Sequence, residues 1–229
     1  MKKSEKDAII QKCKELGFET LKYNAVAAQM SRGKSEKTLA FAMSSVAATL
    51  SKFAMDVCLY MSQNFDFISL PAHLTTGSSI MPHKKNPDVF ELIRGKCNKI
   101  QALPYEITLI TNNLPSGYHR DLQLLKEGLF PAIQNLKACL DIALFSIKDI
   151  KVKDNILSDK KYDYLFTVDT LNEMVVAGMP FRDAYKAVAE QLENGTFKSP
   201  KETKHTHKGS INNLCLNEIK SKMTQAFKS

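Results

Sequence analysis

The chain has 229 residues, 44% of them apolar and 24% charged. That is enough to bury a core as one large domain or two small ones, with an ordinary globular composition that excludes fibrous and disordered classes. Nine glycines and eight prolines favour long helices over a turn-rich β fold, and the net charge of +8 comes from scattered lysines with no arginine-rich patch among aromatics. The basic balance therefore reads as solvated helix faces, not as a nucleic-acid surface.

Met1–Asp7 is charged and no apolar segment follows it, so no secretory signal is expected. No uninterrupted apolar run approaches bilayer length, so no membrane partner is expected either. Ser4–Leu16 carries Ala8, Ile9, Cys13 and Leu16 at helical spacing and ends at Gly17, which predicts a short amphipathic helix. Asn24 and Ser31-Arg32-Gly33 follow, with Arg32 read as a loop arginine ahead of a helix. Ser35–Gln63 predicts a long helix on Leu39, Ala42, Met43, Val46, Leu50, Phe53, Ala54 and Val57. Its alanines and serines permit close packing, as in a helical bundle. Asn64–His73 is a connector.

The most informative stretch is Thr75–Lys96, TTGSSIMPHKKNPDVFELIRGK. Gly77 frees the backbone of a polar loop and Ser78 and Ser79 place two hydroxyls on it. Asn86 suits an N-cap, Pro87 the first helical position, and Asp88 the first turn. Lys84 and Lys85 stand just ahead, so ammonium groups and helix N–H donors converge as a candidate anion site. Asp88–Asn113 is expected as one helix kinked at Pro104. Glu91 and Arg94 sit at pairing distance within it. Leu114–Lys126, LPSGYHRDLQLLK, precedes a third long helix reaching about Ile147, with Gln123 and Lys126 on one helical face.

Lys148–Asn155 breaks the pattern, placing a domain boundary between 1–150 and 151–229. Three shorter helices are predicted at Lys161–Ala177, Pro180–Leu192 and Ser210–Phe227, with Pro180 as a first helical residue after Gly178. Lys198–Lys208 reads as a polar loop. His205 and His207 in it lack an acid or cysteine at ligand spacing, so neither a metal nor another cofactor is expected. The five cysteines, Cys13, Cys58, Cys97, Cys139 and Cys215, form no CxxC. Dispersed thiols suit a reducing, cytoplasmic setting.

Gly77-Ser78-Ser79-Ile80-Met81-Pro82 followed by Lys84, Asn86 and Pro87 resembles the signature loop of the fumarase/aspartase superfamily. Lys84-Lys85-Asn86-Pro87 with Glu91-Leu92-Ile93-Arg94-Gly95-Lys96 is most similar to the argininosuccinate lyase family. Tyr118, Arg120, Asp121, Gln123 and Lys126 match that family's second segment. The sequence departs at His83, usually glutamine, at His119, usually asparagine, and at Ser31-Arg32-Gly33, usually Asp-Arg-Asp.

The resemblance implies an all-α fold: a long-helix bundle followed by a small C-terminal helical domain. It implies β-elimination of argininosuccinate to arginine and fumarate, by an oligomer whose sites combine three subunits of a tetramer. It implies catalytic roles for Ser78 as base, Lys84 as its electrostatic support and Glu91 as the carboxylate that polarises a catalytic histidine. It implies substrate binding by Ser79, Asn86, Tyr118, Gln123 and Lys126. Family members are roughly twice as long, and none of His73, His83, His119, His205 or His207 stands in the context of the catalytic histidine. The chain thus resembles the C-terminal half. Two readings stand beside it: a non-catalytic helical assembly protein derived from the lyase, and another superfamily lyase such as adenylosuccinate lyase.

Overall fold

Alanine decides which way the longest helix faces. The computed structural model describes residues 3–19, 22, 24–203 and 205–227; Met1, part of the charged N-terminal stretch, and Lys204, within the predicted 198–208 loop, lie outside them. After α1 (Lys3–Glu15) and α2 (Ala25–Met30) comes α3 (Lys34–Tyr60). Ala40, Ala47 and Ala54 are fully buried on α3, interleaved with Met43, Leu50 and Val57. That is a seam repeating every seven residues, the pattern of closely packed helices. Leu39 and Val46, expected in the core, are 43% and 44% exposed. The buried stripe lies one residue further along because small side chains let the helix axes approach.

The same seven-residue seam recurs on α4 (Asp88–Gln101), with Phe90, Ile93, Cys97 and Ile100, and on α6 (Leu125–Ile147), with Leu129, Ala132, Leu136, Cys139 and Ala143. α3 packs on α4, on α5 (Leu103–Thr111) and on α6 to form one apolar core. Ser51 on α3 donates to Asn98 Oδ1 on α4 at 2.7 Å, and Gln101 donates to the same oxygen at 3.2 Å, so the buried hydroxyl is satisfied. Cys97 and Cys139 bring two free, buried thiols together between α4 and α6. Burial first, and then the Cys139 thiol, push Cys97 up to about 12.

The predicted single helix over 88–113 is two helices. Ala102 separates α4 from α5, because Pro104 has no N–H to continue the ladder. Pro131 is tolerated inside α6. One turn earlier, Gly128 lies so near α5 that a Cβ there would meet Glu106 Oε1 at 2.9 Å and Leu103 Cδ1 at 3.0 Å. A two-residue antiparallel pair, β1 (Ile68–Ser69) with β2 (Lys151–Val152), ties the α3–α4 connector to the chain leaving α6. Lys153 adds an ion pair with Asp66.

The first compact unit accordingly runs through Lys153 and the second begins at Asp154. In the second, 3-10 turns over Lys160–Phe166 lead into α7 (Thr167–Val176), so the helix expected from Lys161 turns α-helical only at Thr167. Pro180 caps α8 (Phe181–Glu193) from outside instead of opening it. α9 is confined to Leu216–Ala226, since the chain before it is turn and Cys215 sits at φ 54. Leu171, Ala184 and Val188 centre this unit's core. His205 Nε2 lies 2.5 Å from Asp169 Oδ1, an acid brought by α7 that sequence spacing did not reveal. No cluster of three metal-capable side chains occurs among the described residues.

Two helical spans, Ala25–Tyr60 and Arg120–Ile147, are long and apolar enough to cross a membrane by length and composition. Neither is an uninterrupted apolar run, since Lys52 and Asp56 interrupt the first and Lys126, Glu127, Lys137 and Asp141 the second. In this fold both spans contribute residues to the bundle core.

Candidate active site

The loop ahead of α4 is held by its own main chain. Thr76 N–H donates to the Asn86 carbonyl at 3.1 Å and Asn86 N–H to the Thr76 carbonyl at 2.8 Å. The Thr76 hydroxyl also donates to the Asp88 carboxylate in the first turn of α4. Residues 77–85 therefore form a closed ring seated on the helix start. Within it, Ser78 Oγ accepts from two backbone donors, Ile80 N–H at 3.2 Å and Met81 N–H at 3.1 Å. Two aligned N–H groups on one hydroxyl oxygen are a local turn motif, and equally the donors that would stabilise negative charge there.

Asn86 does not cap α4. Its backbone is spent on the Thr76 bridge, and the cap position falls to Pro87, with Asp88 as the first helical residue. Gly77 has neither a positive φ nor any atom within 4 Å of a built Cβ, so nothing in the backbone demands glycine there. Ser79, Lys84 and Lys85 are exposed, Ile80 is 86% exposed, and among the described residues neither lysine makes an ion pair. Glu91 is exposed and does not pair with Arg94, whose Nη1 turns to Met55 Sδ at 3.0 Å.

The second cluster forms where α5 turns into α6. Gly117, at φ 129, and a 3-10 turn over Arg120–Gln123 fold the segment back. Gln123 Nε2 then donates to the Tyr118 hydroxyl at 3.1 Å. Arg32 from the α2–α3 turn lies over the Tyr118 ring, 5.0 Å from its centroid. The Gln123 amide first, then the Arg32 guanidinium, with Lys126 a weaker contributor, hold the phenol below the usual tyrosine range. Lys126 itself is exposed, and His119 Nε2 sits 2.8 Å from the Pro115 carbonyl oxygen.

One chain does not bring the two clusters together. α4 has 14 residues and α5 nine, so at about 1.5 Å per residue the loop and the Tyr118 segment stand on the order of 35 Å apart along the helices. Sequence reasoning missed the Thr76–Asp88 latch and the approach of Arg32. The first was detectable as a threonine before the loop with an acid in the helix's first turn; the second has no local signal.

A family profile described as a lyase matches residues 4–102. Argininosuccinate lyase of Parabacteroides distasonis is 58% identical over 214 residues, covering 93% of this chain and 48% of that protein. The Bacteroides thetaiotaomicron enzyme is 56% identical over 92% of this chain and 47% of its own length. The chain is similar to argininosuccinate lyases along nearly all of its length. It spans about half the length of the curated relatives it matches. Two solved structures share the fold: a fumarate lyase/delta crystallin from Brucella melitensis, 22% identical with a TM-score of 0.63 over 82% of this chain and 43% of its own, and a class II fumarase from Schistosoma mansoni, 17% identical with a TM-score of 0.63 over 82% and 41%. The all-α architecture is shared with these structures, and the Ser78 ring and the Tyr118 segment are two places where polar side chains gather.

Proposed function

We propose that the chain supplies the signature loop and substrate-gripping segment of an argininosuccinate lyase, acting with a complementary half and in an oligomer. The observation that carries this is the pair of backbone N–H donors on Ser78 Oγ. A serine is a poor base in water, and its alkoxide needs such donors together with nearby cations. In this reading the Ser78 alkoxide takes the substrate's Cβ proton and the electron pair moves into the adjoining carboxylate, giving an aci-carboxylate dianion. Collapse of the dianion breaks the Cα–N bond, and a donor protonates the departing guanidine nitrogen, leaving fumarate and arginine. Lys84 supports the alkoxide and the dianion. Asn86 and Ser79 hydrogen-bond a substrate carboxylate, and Tyr118, Gln123 and Lys126 grip the polar ends. Glu91 orients the histidine that the family carries in its other half.

The separation of the two clusters supports a site shared between chains, as in a homotetramer. So do the exposed apolar side chains of the bundle: Phe41 is 55% exposed, Leu92 65%, Leu144 63% and Phe145 54%. Patches of this kind mark association surfaces. Five free cysteines support a cytoplasmic setting.

The test is argininosuccinate cleavage, followed by fumarate absorbance, on the chain alone and mixed with the N-terminal half of a related lyase. Activity on mixing is the expected outcome. A folded oligomer silent in both arms would replace this reading with that of a non-catalytic assembly protein.

A further inference from the structure

Arg32 stands on the turn between α2 and α3 with serine before it and glycine after it. Among the described residues no carboxylate pairs with it. Instead its guanidinium faces the Tyr118 ring at 5.0 Å, within cation–π range. The glycine explains how it gets there. Gly33 takes φ 83 as the cap of α3, a conformation that costs glycine nothing. A Cβ on it would stand 2.7 Å from Thr111 Cγ2 at the end of α5 and 3.6 Å from Leu125 Cδ1 at the start of α6. The residue after Arg32 is thus wedged between the two helices that bracket the Tyr118 segment. On its other side Arg32 borders a polar cavity of about 110 Å³ shared with Gln29, Ser116 and His119.

We propose that Arg32 is a positioning residue for Tyr118: seated by Gly33, it holds the phenol ring toward Gln123 and keeps a cationic wall beside Lys126. The segment then meets a carboxylate-bearing ligand with its donors already aimed, and little ordering cost remains for binding. The inference rests on the reading of Tyr118, Gln123 and Lys126 as ligand-gripping residues. The lowered phenol is the electrostatic trace of the same arrangement, with Gln123 the larger cause and Arg32 the next.

The experiment is a tyrosinate-absorbance titration of the full chain and of R32M, R32K and G33A, each read against a Y118F baseline. The wild type is expected to show one component ionising below its other tyrosines, absent in Y118F. R32M moves that component to higher pH, R32K moves it less because the charge remains while the guanidinium is lost, and G33A moves it in the direction of R32M by unseating the turn. A component that stays in place in folded R32M, or its absence from the wild type, overturns the proposal. Should R32M or G33A fail to fold, R32K alone decides, an unmoved component counting against it. The titration needs no turnover, so it stands even where the chain is silent as a lyase. The ligand-gripping reading fails separately, when Y118F and Q123A leave fumarate affinity of the mixed assembly unchanged.

Discussion

The Ser78 ring and the Tyr118 segment are held in opposite ways. In the ring, main-chain bonds between Thr76 and Asn86 and onto Ser78 Oγ fix the path, while the side chains of Ser79, Lys84 and Lys85 stay in solvent. In the Tyr118 segment, side chains hold one another: Gln123 on the phenol oxygen and Arg32 on the ring face. A site built on backbone can lose a side chain and keep its shape. One built on side-chain contacts changes shape with every substitution. The difference suits the two tasks proposed, since proton abstraction demands fixed donors whereas gripping a long substrate demands groups that adjust together.

The largest expected effect tests the ring. Ser78→Ala in an assembly that turns over should lower kcat by about 10²–10⁴-fold, the range for loss of a general base, with KM little changed; wild-type turnover would remove Ser78 as the base. Opening the latch is next. Thr76→Val or Asp88→Ala should cost up to about a hundredfold in kcat, the scale of a small misplacement of a reacting group, with circular dichroism unchanged. An unaffected rate would show that the ring keeps its path without the Thr76–Asp88 hydrogen bond. In the other region Gln123→Ala should raise KM by about two- to tenfold, the worth of one net hydrogen bond. A double-mutant cycle sharpens the contrast: Arg32 with Tyr118 should couple by more than about 0.5 kcal/mol, while Ser79 with Lys84 should be additive. Coupling of equal size in both cycles would erase the distinction. Last, Gly33→Ala should lower stability in thermal unfolding by roughly 1–3 kcal/mol, the cost of a non-glycine residue at positive φ.

Much of this was legible in the residues. The long helices α3 and α6 and the glycine stop at Gly17 follow from local chemistry, whereas the helix expected over 88–113 breaks at Ala102 instead of only kinking at Pro104. The signature loop announced itself through Ser78 to Pro87 in order. What periodicity could not resolve was the core-facing edge: Leu39 and Val46 outrank alanine on any hydrophobic scale, yet Ala40 and Ala47 are buried, because helix spacing, not side-chain affinity, decides the seam. The cap of α4 was misjudged for a related reason. Asn86 is a good cap in isolation, but its backbone is engaged by Thr76, a pairing across the ring that spacing does not encode. Arg32 over Tyr118 depends on α3 meeting α5 and α6, so no window of sequence contains it.

The buried thiols of Cys97 and Cys139 amount to an internal clock. Thiolate is the reactive form, and with Cys97 pushed up to about 12 almost none exists in the folded state at neutral pH. An alkylating pulse should therefore mark Cys13 and Cys215, both partly exposed, at once, and reach Cys97 only when α4 parts from α6. The sign of the pH effect follows. The folded-state value lies above the usual 9, so protonated Cys97 contributes stability that is complete below pH 9 and is lost between 9 and about 12. Its rate of labelling would report opening of the bundle and, in a mixed assembly, how far a second chain slows that opening.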